Sequence, residues 1–207
     1  PNLVIVSYKD DATALDGLKK GTIVDSTIIS APSSTKNKEK KRDPDAHQVK
    51  KGNTWHFGYK AHIGVDRDSG LVHTVEATAA NVHDATETSK LLTGDEDEVY
   101  GDSGYLGAEK RGDAIIRNKA GRKIKYRINR RPSQVKKLSK SGQYAAKKAE
   151  HAKSSVRAKV EHAFGVVKKQ LRFRKTRYRG FEKQRAKFNI MFALANLILA
   201  DRPCLAA

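Results

Sequence analysis

Hydrophobic positions recur along this chain in two periods, short runs of period two and longer runs near 3.6, which together predict a mixed α/β protein. Residues 21–31, GTIVDSTIISA, form a β-rich run closed by Pro32. In residues 55–65, Phe57, Tyr59, Ala61, Ile63 and Val65 alternate with His56, Gly58, Lys60, His62 and Gly64. That alternation predicts a strand with one buried face, paired across the turn DRDSG with a second strand at 71–79. Residues 33–53 have no apolar period and many charges, and read as a mobile loop. A capped helix is expected at 81–92, a short buried strand at Val99-Tyr100, a helix at 108–118 and another short strand at 122–127. The longest helical pattern runs from about 143 to 171, with Val156, Val160, Phe164, Val167 and Leu171 as its apolar stripe. Residues 188–200 read as a closing core helix, too short to span a bilayer. Ahead of all this, residues 3–6 suggest a strand and 12–20 a helix ended by Gly21.

Charge changes the picture more than composition does. The net charge of +19 over 207 residues is unevenly spread: residues 1–116 hold 15 Lys plus Arg against 19 acids, and residues 117–187 hold 26 against 3. An acidic half beside a basic half suggests carboxylates that hold cations next to a surface that holds phosphates. In 173–181, FRKTRYRGF, basic and aromatic residues interleave, so that Arg174, Lys175 and Arg177, with Arg172 just before, suit contact with backbone phosphates and stacking on bases. Lys36 and Lys38 in the charged loop are further phosphate candidates. The single cysteine, Cys204, excludes an internal disulfide and a cysteine-based zinc site, and implies a reducing compartment. No signal peptide is visible. The chain begins at Pro1 rather than Met, which suggests a fragment, with residues 1–20 an N-terminal remnant before a domain at 21–207.

Three acids sit where a purely structural protein has little use for them. Asp25 interrupts a run of Ile, Val and Thr; it either faces solvent from an edge strand or belongs to a site. Asp102 follows the short strand in GDSG, and either caps the next helix or marks a functional strand end. Glu161 borders the apolar stripe of the long helix, as a salt-bridge partner of Arg157 four residues earlier or as a metal ligand. His56 and His62 share a strand face and read as polar-face residues rather than ligands. The order strand, hairpin, helix, strand, helix, strand, helix is that of the ribonuclease-H-like fold, an α/β mixed sheet of about five strands flanked by helices. In that fold the first and fourth strands lie side by side and the long helix crosses their edge, so Asp25, Asp102 and Glu161 meet. Three carboxylates so gathered repel one another and need positive charge between them. Two hard divalent cations, Mg²⁺ or Mn²⁺, fit an all-oxygen donor set and two-metal phosphoryl transfer.

Asp25 in GTIVDSTIISAPSSTKNK, Asp102 in VYGDSGYLG, the run Arg157-x3-Glu161-x6-Lys168 and the segment GNTWHFGYKAHIGVDRDSGLVHTVEATAANVHDAT together resemble the DDE transposases of bacterial insertion sequences, in the insertion-sequence-five group. The likeness covers about residues 20–200. It implies a catalytic domain that cuts double-stranded DNA at element ends and joins the freed 3′-hydroxyl to target DNA, working as an oligomer in the bacterial cytoplasm, at the nucleoid. It makes Asp25, Asp102 and Glu161 the metal-binding triad, and Arg157 and Lys168 contacts near the scissile phosphate. Two departures stand out: Ser154 occupies the place of the family's tyrosine, and the helical DNA-binding region that usually comes first is not recognisable. The competing readings are a ribonuclease-H-like nuclease or resolvase, and a non-enzymatic basic DNA-binding module with Glu161 tied up by Arg157.

Overall fold

The computed structural model describes residues 21–200; the strand and helix expected within residues 3–20, and Cys204, lie outside them. Six strands make one sheet: β1 (Gly21–Ser30), β2 (His47–Lys51), β3 (Thr54–Asp66), β4 (Val72–Ala79), β5 (Glu98–Gly101) and β6 (Lys125–Ile128). The helices are α1 (Thr88–Leu91), α2 (Pro132–Lys136), α3 (Lys140–Gly165) and α4 (Phe181–Ala200). β1 lies between β3, to which it is antiparallel, and β5, to which it is parallel; β6 continues in parallel beyond β5, and β4 pairs with β3. This is the mixed sheet flanked by helices expected of a ribonuclease-H-like fold. The first strand and the one that ends before Asp102 are indeed neighbours, with Thr22 opposite Val99 and Ile23 opposite Tyr100.

Two apolar layers sandwich the sheet. On one face Ile23, Ile63, Val65 and Tyr100 pack against Val160 and Phe164 of α3 and Phe188 and Phe192 of α4. The stripe foreseen on the long helix is this contact: Val160 is fully buried, Phe164 nearly so, and Val156 packs from the margin. On the other face Val24, Val99, Leu91, Tyr105 and Ile124 form a smaller cluster. Among the described residues no helix is long and apolar enough to cross a membrane.

Several local expectations need correction. Residues 33–53 are not all loop, because β2 pairs with the start of β3, Lys50 opposite Trp55 and Lys51 opposite Thr54. Charged side chains alternate there on a solvated ribbon, and such a ribbon carries no hydrophobic period to reveal it. The 81–92 stretch is a single 3-10 turn, Asp84–Thr86, capped by the His83 side chain, followed by the one-turn α1. Residues 108–118 hold only the 3-10 turn Ala108–Lys110. β3 is buried on both faces from Gly58 to Asp66, since residues 80–92 fold over the side read as polar. Gly64 permits this: a Cβ there would stand 2.6 Å from the Leu91 carbonyl oxygen. His62 is therefore a wholly buried side chain, not a solvated one.

Candidate active site

Side-chain alternation carries Asp25 and Asp102 to the same place. Asp25 is two residues beyond Ile23 and Asp102 two beyond Tyr100, and these two are paired neighbours whose side chains join the layer under α3. Both carboxylates thus emerge on the helix-covered face where the parallel strand β5 stops, the position at which α/β sheets open a crevice. From above, α3 presses Val160 into the sheet, and the next residue, Glu161, stands at the exposed border of that contact. Asp25, Asp102 and Glu161 line one cleft of about 480 Å³, together with Lys51, Arg157, Lys168 and Lys169.

Burial dominates the electrostatics. It pushes the Asp25 carboxyl up to about 6 against the pull of the Ser26 N–H and the Arg157 guanidinium, and Asp102 and Glu161 push it further. Asp25 thus feels both of the other acids, as a group sharing one small volume with them does. The Ser26 N–H donates to Asp25 Oδ1 at 2.7 Å, and Arg157 Nη2 reaches Asp25 Oδ2 at 3.3 Å. Asp102 accepts from the Gly104 N–H at 2.8 Å, as N-cap of the 3-10 turn Ser103–Tyr105. So Asp102 caps the 3-10 turn that follows it directly, not a helix at 108–118, and lines the cleft at the same time. A Cβ on Gly104 would sit 2.9 Å from Asp102 Oδ1.

Arg157 does not pair with Glu161, as helical spacing alone suggests; it turns across the sheet edge to Asp25. Its second anchor is Asn129, whose Oδ1 accepts from Nη1 at 3.2 Å. Asn129 follows β6, is fixed by its own N–H to the Gly101 carbonyl at 3.0 Å, and donates to Glu150 at 2.8 Å and to Ser154 at 3.3 Å. The guanidinium is thus held between strand and helix, and Glu161 is left without an ion pair among the described residues.

Lys168 reaches the cleft because α3 ends in a π-helical turn, Val166–Gln170. Inserting one residue per turn re-aims the side chains that follow, and such turns concentrate at functional sites. Burial, and then the charge of Lys51 close by, lowers the Lys168 ammonium below its usual range. The remaining cationic candidates divide. Arg174 Nε donates to the Lys168 carbonyl at 2.9 Å and so braces the π turn. Arg172, Lys175 and Arg177 line a separate pocket with Phe173 and Tyr178. Lys36 and Lys38 are exposed on their loop and are not among the residues lining the cleft.

Beneath the cleft lies a polar cluster that the sequence pattern hid. Asp84 Oδ1 accepts from Ser26 Oγ at 2.8 Å and from Lys60 Nζ at 3.0 Å, and His62 Nδ1 is 3.7 Å away. Lys60 also donates to the Val82 carbonyl at 2.7 Å, and His62 Nε2 lies 2.8 Å from Thr78 Oγ1. Burial holds the His62 imidazole down at about 4, so it is neutral near pH 7. Burial also raises the Tyr105 hydroxyl well above its ordinary value, helped by Asp25, Asp84 and Asp102. Asp84 thereby links the residue after Asp25 to β3. An acid and a lysine placed on the polar side of a pattern give no warning that a loop will cover them.

All three cleft carboxylates offer only oxygen, the donor type that hard divalent cations take. Among the described residues, no three acidic, His or Cys side chains already converge as a ready cage. The positive charge beside Asp25 is supplied instead by Arg157. What fits a cation is the donor chemistry together with the raised Asp25, a buried acid whose ionisation needs compensation.

With fold and cleft in place, the comparison with known families can be set beside them. The chain belongs to the transposase DDE domain family, whose model matches residues 16–197 and so spans β1, β5 and α3 with all three acids. No solved structure matches it significantly.

Proposed function

We propose that this chain is the catalytic domain of an insertion-sequence transposase, of the insertion-sequence-five group, that cleaves double-stranded DNA at element ends and transfers the freed 3′-hydroxyl to target DNA. The single observation that carries the reading is that Asp25, Asp102 and Glu161, distant in the chain, line one cleft whose other charged residues are all lysine or arginine. Asp25, Asp102 and Glu161 are the residues to hold two Mg²⁺ or Mn²⁺ ions. Those ions, when bound, neutralise charge on the attacking and leaving oxygens of an in-line phosphoryl displacement.

The chain's own groups do the placing. Arg157, clamped by Asn129, sets the rotamer of Asp25 and keeps its charge tolerable before any cation arrives. Lys51, Lys168 and Lys169 present ammonium groups to a phosphodiester in the cleft. Ser26, which lines the cleft, donates its hydroxyl to Asp84 rather than to a base that would activate it, which supports chemistry by placement and charge rather than covalent catalysis. Ser154 stands where the family has tyrosine and here accepts from Asn129, which supports the Arg157 clamp rather than a direct DNA contact. Assembly of two or more copies on DNA accompanies this reading, as the two ends of an element must be handled together.

The test is Mn²⁺-dependent nicking and joining on a duplex carrying an element end. A nicked strand and a joined product are expected from the unaltered chain, and neither from an Asp102→Ala, Glu161→Ala double variant. Nicking without joining, at any concentration of 3′-hydroxyl ends, would favour a nuclease. Activity indifferent to the double substitution would overturn the site.

A further inference from the structure

The β2–β3 hairpin carries an aromatic group with no structural reason for its place. Trp55 is 64% exposed, the most exposed tryptophan or phenylalanine among the described residues, and it is the chain's sole tryptophan. An indole left in water forfeits the transfer free energy that keeps large aromatics inside. Around it the hairpin sequence 47–56, HQVKKGNTWH, holds no acid. Lys50 is its cross-strand partner, and Lys51 beside it lines the carboxylate cleft and presses on the charge of Lys168. Two residues further along the same strand face, Phe57 lies under the Arg42 guanidinium, 5.6 Å from its ring centroid. Aromatic and cationic groups thus alternate along a ribbon that starts at the cleft mouth.

A flat apolar ring among lysines, with no carboxylate to pair them, matches one class of partner: a polyanion that carries exposed aromatic faces. Duplex DNA hides its bases, whereas a frayed end or a single-stranded overhang shows them. We propose that the β2–β3 hairpin is a DNA-contacting arm, in which the Trp55 indole stacks on an unpaired base of the strand entering the cleft while Lys50 and Lys51 hold its phosphates. The proposal rests on the transposase reading for the identity of the strand and adds the element that receives it. The arm would select ends whose terminal base has left the helix, and would keep the scissile phosphate from sliding past the carboxylates.

Because Trp55 is the sole tryptophan, its emission reports on this contact alone. Tryptophan fluorescence and the anisotropy of labelled oligonucleotides are read in the same titration in EDTA, with a blunt duplex and with the same duplex bearing a 3′ overhang. The overhang DNA is expected to quench the emission with the same midpoint as the anisotropy, and the blunt duplex to quench it less. Trp55→Ala is expected to weaken overhang binding about tenfold, with Trp55→Phe recovering most of it and blunt-duplex binding unchanged. Emission unchanged at saturating overhang DNA overturns the proposal. So does an equal loss on both DNAs, or emission that shifts with protein concentration alone, which would assign the indole to a contact between copies. Quenching that occurs without Mn²⁺-dependent nicking would leave the arm standing and remove the catalytic reading instead; absence of any DNA binding removes both.

Discussion

Replacing Asp25 by asparagine should make the metal-free protein more stable above pH 6. The folded carboxyl is pushed from 3.8 to about 6, chiefly by burial, and its side chain is only 15% exposed. Each pKa unit is about 1.36 kcal/mol, so ionising Asp25 costs the fold about 3 kcal/mol. The pull of Arg157 opposes the upward shift and is already included in it. The sign follows from the raised value. Well below pH 3.8 the group holds its proton folded and unfolded and contributes no penalty, and at pH 4 the penalty is still only about 0.5 kcal/mol. Between pH 4 and 6 the unfolded chain ionises first and stability is lost; above pH 6 the full loss applies. Asparagine keeps the neutral shape without the charge. In EDTA, thermal unfolding of the Asp25→Asn variant should match the parent near pH 4 and exceed it by about 5–10 °C at pH 8. A gap that is the same at both pH values, or a variant less stable at pH 8, would refute the argument that a buried acid is held there against its electrostatic cost.

Other perturbations read separate parts of the account. Lys168→Ala should weaken DNA binding and reduce the slope of log affinity against log salt by about one, measured by anisotropy across a salt series; an unchanged slope would mean that the π turn aims Lys168 away from phosphate. Asp84→Ala leaves the Lys60 ammonium, 8% exposed, with only the Val82 carbonyl. Urea unfolding should show a loss of about 3 kcal/mol, largely recovered when Lys60→Met is added; two additive losses would deny the coupling. Phe188→Ala, removing a fully buried ring that meets Phe173 edge-on at 5.9 Å, should cost about 3–5 kcal/mol. A loss under 1 kcal/mol would mean that α4 does not hold the basic linker in place.

The carboxylates were legible because each broke a local rule. Asp25 sat in a β-branched run, Asp102 followed a short apolar strand, and Glu161 was nearly alone among cations, so pattern alone exposed them as misfits. The main strands and the long helix were legible from their hydrophobic periods, and the neighbouring of β1 and β5 from the likeness of their order to the ribonuclease-H-like fold. What failed to show was whatever depends on a covering segment. Lys60 and His62 looked like solvent-facing residues of an alternating strand, and only the fold-back of residues 80–92 made them buried partners of Asp84. β2 was hidden because a charged ribbon has no apolar face. The Arg157–Asp25 pair was not foreseen, because helical spacing offers only near neighbours, whereas the guanidinium found a buried acid on the sheet that burial alone had left in need of charge.

The central claim is that three distant acids serve one cation site, and Mn²⁺ titration of the full chain by calorimetry tests it without requiring turnover. The unaltered protein should bind with a saturable signal, and Asp25→Asn, Asp102→Asn and Glu161→Gln should each weaken it by tenfold or more while thermal unfolding shows each variant folded. Binding left intact by all three substitutions would contradict the account.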